Sequence, residues 1–124
     1  MKQKIVFAGF RHVHIFTLLE MVKKHPDTIF VAAHPGEYPQ YMRHLERMAW
    51  SENYYLDLSG TGFFRHRMLR HGIDTRGAHR FLFGSDYPTC NPSMFIGGVA
   101  LDPLLTEEEK QQIFSGNAKR LLNL

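Results

Sequence analysis

Asp86 is the residue of this chain whose type and position most clearly suggest chemistry. It stands in the stretch Arg80 to Pro88, where the apolar run Phe81 to Phe83 predicts a buried strand that Gly84 ends. Proteins built from parallel strands and helices place reactive groups just past the carboxyl ends of their strands. A carboxylate is costly to bury there without a metal ion, a proton or hydrogen bonds. Asp86 is therefore a candidate metal ligand or proton-transfer group, and capping of a turn or of the next helix is the simpler alternative.

Histidines follow two other predicted strands. His34 ends the apolar run Thr28 to Ala33, and His12 and His14 follow the run Lys4 to Gly9 at a spacing of two residues. If the strands are parallel, these side chains and Asp86 project from one edge of the sheet. Imidazole and carboxylate together suit zinc or manganese, and such a metal lowers the pKa of its bound water to about 7. The simpler alternatives are a turn role for His34 and a helix-opening role for His12 and His14.

The elements that must position these residues alternate between strand and helix. The predicted strands are Lys4 to Gly9, Thr28 to Ala33, Asn53 to Ser59 and Arg80 to Ser85. The predicted helices cover Ile15 to Val22, Tyr38 to Ala49, the shorter stretch Phe64 to Leu69, and a last helix that Thr106 and Glu109 open as a capping box. This alternation implies parallel pairing with right-handed crossovers. Asp57 and Ser59 share one face of the third strand, and we interpret Asp57 as a structural polar residue of the sheet rather than a ligand.

Size and composition limit the classes of protein that fit. The 124 residues, 44% of them hydrophobic, suit one α/β domain over residues 1–124. No apolar run reaches the roughly 18 residues of a membrane helix. The net charge of +3 comes from scattered basic residues, which argues against a nucleic-acid partner. Cys90 is the only cysteine, and a cytoplasmic location is expected.

Four segments together resemble a known family. They are Val31 to Gly36, Asn53 to Gly60, Phe81 to Pro88 and Asn117 to Leu122. In this order they resemble the carboxyl-terminal half of metal-dependent amidohydrolases, in the amidohydrolase-related (amidohydrolase 2) group of TIM-barrel hydrolases and decarboxylases. The resemblance implies four βα units with parallel strands, half of a (β/α)8 barrel. It also implies that His34 and Asp86 are metal ligands and that Asp86 handles the proton during water attack or decarboxylation.

The resemblance leaves the assembly and the ligand set open. A whole barrel needs about 250 residues, and the first-strand His-x-His pair of the family belongs to a half that this sequence does not match. The first predicted strand also lacks the histidine that the family has at its end, unless His12 or His14 takes that place. The half-barrel would pair with a second copy as a homodimer, or it would rearrange into an open flavodoxin-like sheet with helices on both faces, which we favour slightly.

A second resemblance concerns the first thirty residues. Lys4 to His14 and Thr28 to Ala33 resemble the opening βαβ unit of glucose-fructose-oxidoreductase-type dehydrogenases. Only Gly9 remains of the G-x-G-x-x-G fingerprint, and His34 stands where an acidic residue would bind ribose. Three hypotheses therefore remain: a metal-dependent hydrolase or decarboxylase that acts on a small carbonyl or carboxylate compound, a non-catalytic fragment or chimeric scaffold, and a Rossmann-like nucleotide binder.

Overall fold

The computed structural model describes residues 4–9 and 15–124. Its strands are β1 (Lys4–Gly9), β2 (Thr28–Ala33), β3 (Tyr54–Asp57) and β4 (Phe81–Leu82). Its α-helices are α1 (Ile15–Lys24), α2 (Tyr38–Met48), α3 (Met68–Arg76), α4 (Pro92–Ala100), α5 (Glu107–Gln111) and α6 (Asn117–Leu122). A π-helical segment, Gln112–Gly116, joins α5 to α6, and two 3-10 turns cover Gly62–Phe64 and Ala78–Arg80. None of the helices in the described ranges is long and apolar enough to cross a bilayer.

The four strands form one parallel sheet in the order β1-β2-β3-β4. Each strand therefore lies beside the next one in the chain, which is the order of consecutive units in a (β/α)8 barrel. A flavodoxin-like or Rossmann sheet would place β1 between other strands and create a topological switch point. The strand order of the half-barrel prediction is confirmed, and the flavodoxin-like order that we favoured slightly is wrong.

Both faces of the sheet are buried over β2, β3 and β4, as continuous apolar strands predict, whereas Val6 and Phe7 of β1 are exposed. One face carries Phe30, Ala32, Tyr54, Leu56 and Phe81 against α1, α2, α3 and α4. The other face carries Ile29, Val31, Tyr55 and Leu82 against Ala118 and Leu121 of α6. Each large apolar side chain buried in this way contributes about 1.5–3 kcal/mol relative to exposure. The last helix thus covers the face opposite to the other helices.

The π-helical segment and α6 also occupy the outer edge of β4. The Phe83 amide donates to the Ile113 carbonyl at 3.0 Å, and the Asn117 side-chain amide donates to the carbonyls of Ala78 and Phe81, both at 2.8 Å. Peptide groups at a strand edge need partners when they are buried. A second copy that closed a barrel by pairing with β4 would have to displace these bonds.

Several predicted elements differ from the observed ones. The strands predicted to end at Ser59 and Ser85 end at Asp57 and Leu82, and Phe64 to Leu69 is not one helix. Arg67 has a left-handed φ of 68°, so α3 can begin only at Met68. Helix α4 was not predicted, because Gly97 and Gly98 weaken its helical pattern. The sequence does contain a signal for the start of α4, because asparagine is a preferred N-cap residue. Asn91 has this role in the structure, where its side chain accepts a hydrogen bond from the Ser93 amide.

Candidate functional site

His34 and Asp86 meet at the carboxyl edge of the sheet. His34 directly follows β2, Asp86 lies four residues after β4, and His34 Nε2 is 3.4 Å from Asp86 Oδ1. Both side chains are about one-third exposed, at 35% and 36%. The pair is therefore open to solvent and to a small ligand, at the edge where parallel-strand proteins place their sites.

The backbone at both residues is unusual. His34 and Asp86 each have a φ of 56°, in the left-handed region that few residues other than glycine adopt. Such a conformation costs on the order of 1–3 kcal/mol and persists where the surrounding structure fixes it. Left-handed residues other than glycine cluster at active sites and ligand-binding loops, so these two make the sheet edge a candidate site.

Asp57 and Ser59 hold His34 from the neighbouring strand end. Asp57 Oδ1 accepts hydrogen bonds from the Ser59 hydroxyl at 2.5 Å, the Ser59 amide at 3.0 Å and the His34 amide at 3.3 Å. Ser59 Oγ lies 3.1 Å from His34 Nδ1 and accepts from the His34 amide at 3.2 Å. The imidazole thus has Ser59 on its Nδ1 side and Asp86 on its Nε2 side.

Burial and hydrogen bonding act in opposite directions on Asp57. Burial raises the pKa of this carboxyl group, while the bonds from Ser59 and His34 favour its ionised form and lower the pKa. Gly84 leaves room for the carboxylate, because a Cβ atom at position 84 would stand 3.0 Å from Asp57 Oδ2. Asp57 is therefore a polar residue of the sheet, as interpreted from the sequence, and it contacts His34 directly.

Side-chain contacts join the loop after β2 to the loop after β3. The Thr61 hydroxyl donates to Glu37 Oε1 at 2.5 Å, and Arg65 Nη2 lies 3.3 Å from Glu37 Oε2. These groups are exposed, so the ion pair itself contributes little stability. Its consequence is positional, since it ties the turn that follows His34 to the turn that follows Ser59.

The predicted ligand set is brought together only in part. His12 and His14 lie outside the described residues, so their predicted metal contacts stay predictions. Within residues 4–9 and 15–124, no three His, Cys, Asp or Glu side chains gather as a metal site would require. His34 and Asp86 supply one nitrogen and one oxygen donor, a combination that zinc and manganese both accept.

Three residues make contacts that the sequence patterns did not predict: Asp57, Ser59 and His44. The period-two spacing of Asp57 and Ser59 was a usable signal, but it did not indicate that both would bond to His34. His44 was interpreted as solvated, and it is instead buried on α2, where Nδ1 contacts the Tyr54 hydroxyl. Burial lowers the pKa of His44 to about 4, with a smaller contribution from the positive charge of Arg47. Its spacing from Tyr41, Leu45 and Met48 on one helix face was the signal for burial.

Comparison with known proteins gives one family. The family model described as Amidohydrolase matches residues 5–124. No curated protein sequence gives a significant match.

Solved structures give the same fold. 2,6-Dihydroxybenzoate decarboxylase complexed with 2,6-dihydroxybenzoate is 28% identical, with a TM-score of 0.65 over 84% of this chain and 37% of that one. A dihydroxybenzoic acid decarboxylase from Polaromonas sp. JS666, with bound manganese and the inhibitor 2-nitroresorcinol, is also 28% identical, with a TM-score of 0.64 over 84% and 36%. An amidohydrolase from Burkholderia multivorans with bound HEPES, 20% identical, shows the fold alone, with a TM-score of 0.71 over 97% and 52%. The chain therefore spans between about a third and a half of the length of these structures.

Proposed function

The chain belongs to the amidohydrolase family, and from this membership we propose that His34 and Asp86 form part of a divalent metal site that supports the hydrolysis or decarboxylation of a small carbonyl or carboxylate compound. Zinc and manganese are the proposed metals. The alternating strand and helix units, with both residues at one sheet edge, supply the framework.

The separation of the two donor atoms is the observation that carries this proposal. Ligand bonds of about 2.1 Å that meet at a tetrahedral angle place two donor atoms roughly 3.4 Å apart. His34 Nε2 and Asp86 Oδ1 stand at 3.4 Å. A catalytic zinc site has three protein ligands, so these two residues fit part of a coordination sphere. His12 and His14 are the residues that we propose for the remainder.

A bound metal would supply positive charge that polarises a substrate oxygen or acidifies a water molecule. Asp86 would carry the proton. In hydrolysis its carboxylate accepts a proton from the attacking water and returns it to the leaving group. In decarboxylation the bond to the carboxylate carbon breaks, CO2 leaves, and protonated Asp86 gives its proton to the carbon that keeps the electron pair. His34 Nε2 would hold the metal together with Asp86.

Decarboxylation of a hydroxylated aromatic carboxylate is the more specific version of this proposal. It is favoured by the two decarboxylase structures that are 28% identical to the chain, one of which holds 2,6-dihydroxybenzoate and the other manganese. The described part of the chain offers only two of the donors, which is the specific observation in favour of the alternative, a non-catalytic scaffold. The Rossmann-like alternative lacks its structural basis, because the sheet has no topological switch point.

The test is release of resorcinol and CO2 from 2,6-dihydroxybenzoate by the manganese-loaded chain. Asp86→Asn and His34→Asn should each lower the rate by at least about 100-fold, because the first removes the acid–base group and the second removes a metal ligand. The exposed residues Asp27 and His25 provide matched controls, since Asp27→Asn and His25→Asn make the same chemical changes away from the site. No product from a chain that binds the metal would favour the scaffold, and equal rates in all variants would refute the assignment of the pair.

A further inference from the structure

We propose that Ser59 and Asp57 are positioning residues that fix His34 in the tautomer with its hydrogen on Nδ1, so that Nε2 presents a lone pair towards Asp86. This inference rests on the proposed function, because it explains how the proposed metal-binding nitrogen is prepared. It gives a positioning role to Asp57 of β3 and to Ser59 of the turn after β3. The sequence indicated these residues only as polar members of one strand face.

Three hydrogen-bond donors surround one carboxylate oxygen of Asp57. Its Oδ1 atom receives the Ser59 hydroxyl, the Ser59 amide and the His34 amide, and the hydroxyl contact is the shortest, at 2.5 Å. Two oxygen atoms at this distance require a hydrogen between them. Because Oδ1 already accepts two amide hydrogens, it acts as an acceptor, so the hydrogen between the oxygens is that of Ser59.

A serine hydroxyl has one hydrogen and two acceptor lone pairs. With its hydrogen directed to Asp57, Ser59 Oγ can only accept from its other neighbours. These are the His34 amide at 3.2 Å and His34 Nδ1 at 3.1 Å. Nδ1 must therefore carry a hydrogen. The opposite assignment, with Ser59 donating to Nδ1, would leave two acceptor oxygens facing each other at 2.5 Å inside a serine site that is only 2% exposed.

The consequence appears on the other side of the ring. When Nδ1 holds the hydrogen of a neutral imidazole, Nε2 is an acceptor, and it stands 3.4 Å from a carboxylate oxygen that is also an acceptor. Two acceptors at this distance repel unless a positive charge lies between them. A divalent cation or a proton satisfies both. The bonds on the Nδ1 side thus prepare the two donor atoms for a cation, as partners of metal-binding histidines do in general.

The tautomer can be read directly by nitrogen-15 NMR of the His34 ring in the complete chain, before and after zinc is added. Wild type should show Nδ1 bonded to hydrogen in both states, with zinc shifting only the Nε2 resonance. Ser59→Ala should move the hydrogen from Nδ1 to Nε2, where it can bond to Asp86, and should weaken zinc binding by about 10- to 100-fold. Ser59→Thr keeps the hydroxyl and should restore the wild-type signals. Ser115→Ala removes a hydroxyl from an exposed position and should change nothing.

The outcomes separate this inference from the proposed function. Hydrogen on Nε2 and not on Nδ1 in the wild-type chain would overturn the inference, as would an unchanged ring in Ser59→Ala. Hydrogen on Nδ1 that is lost in Ser59→Ala supports the role of Ser59 even if zinc does not shift Nε2, a result that would count against the metal site alone. Asp57→Ala provides the second variant. It removes the Oδ1 acceptor, so the Ser59 hydroxyl should donate to Nδ1 instead and the ring hydrogen should move to Nε2.

Discussion

The side-chain amide of Asn117 donates a 2.8 Å hydrogen bond to the Phe81 carbonyl, and by this contact the first residue of α6 occupies the outer edge of β4. The same amide donates to the Ala78 carbonyl, and Asn117 is only 2% exposed. One side chain therefore satisfies two buried carbonyl groups that no neighbouring strand reaches.

Asn117→Ala should lower the free energy of unfolding by about 1–3 kcal/mol, because the Phe81 carbonyl would lose its partner in a buried site, while the Ala78 carbonyl would keep its hydrogen bond from the Phe81 amide. Urea denaturation measures this change. Gln111→Ala, at an exposed position one helical segment earlier, should change it by less than about 0.5 kcal/mol. Equal stability of the two variants would show that the Asn117 contacts do not hold α6 to the sheet.

Two glycines should respond in opposite directions to alanine. A Cβ atom on Gly72 of α3 would stand 2.0 Å from Tyr41 Oη and 2.8 Å from Phe81 Cζ, and both of these side chains are fully buried. Gly72→Ala should therefore destabilise the chain by about 1–3 kcal/mol or more through overpacking. Gly97 of α4 has nothing within 4 Å of a Cβ position, so Gly97→Ala should stabilise by about 0.5–1 kcal/mol. Thermal melts of the two variants that shift the same way would refute this account.

His44 should make stability depend on pH. Its folded pKa of about 4 lies below the ordinary value of 6.5, so the unfolded chain binds more protons between these pH values. Stability should therefore fall as the pH is lowered from about 6.5 towards 4, by about 3 kcal/mol in total.

Denaturation across this range checks the sign. His44→Gln should flatten the pH dependence by about 1.4 kcal/mol per pH unit near pH 5, whatever its effect at neutral pH. His25→Gln, at an exposed position, should leave the slope as in the wild type. A His44→Gln slope equal to the wild-type slope would mean that His44 binds a proton in the folded chain as readily as in the unfolded one.

The ion pair between Arg70 and Glu109 should fix α3 to α5. Two Arg70 nitrogens lie 2.8 and 2.9 Å from the two Glu109 oxygens, and both side chains are about four-fifths buried. These bonds lower the pKa of Glu109, so its contribution is present above the ordinary carboxyl pKa and is lost as the pH falls through the lowered value. Glu109→Gln should cost about 1–3 kcal/mol at neutral pH and much less in acid. Exposed Glu108→Gln should have little effect in the same denaturation series.

Much of this fold follows from local pattern. β2 ends at Ala33, as its apolar run predicts, and the parallel pairing that puts His34 and Asp86 at one edge follows from the alternation of strands and helices. The end of β4 at Leu82 could not be predicted from the residues of the strand itself. Phe83 bonds to Ile113 instead of to a strand, and the apolar run contains no trace of a partner thirty residues away.

In the candidate site, too, one part could be predicted from the sequence and another could not. The positions of His34 and Asp86 follow from strand ends, whereas the bonds from Ser59 and Asp57 to His34 join residues 25 and 23 positions apart. Their distances depend on strand register and on the left-handed backbone at His34, neither of which a single sequence determines. His44 was misjudged because a histidine on a helix is usually solvated, and the decisive contact, with Tyr54, comes from the next strand.

Metal content per chain tests the central claim most directly. Elemental mass spectrometry on protein purified without a histidine tag, after equilibration with zinc or manganese and removal of the excess, should find about one metal ion per wild-type chain. Asp86→Asn should lose most of it, and Asp27→Asn should retain it. Less than about a tenth of an ion per wild-type chain, or equal content in wild type and Asp86→Asn, would contradict the assignment of His34 and Asp86 as metal ligands.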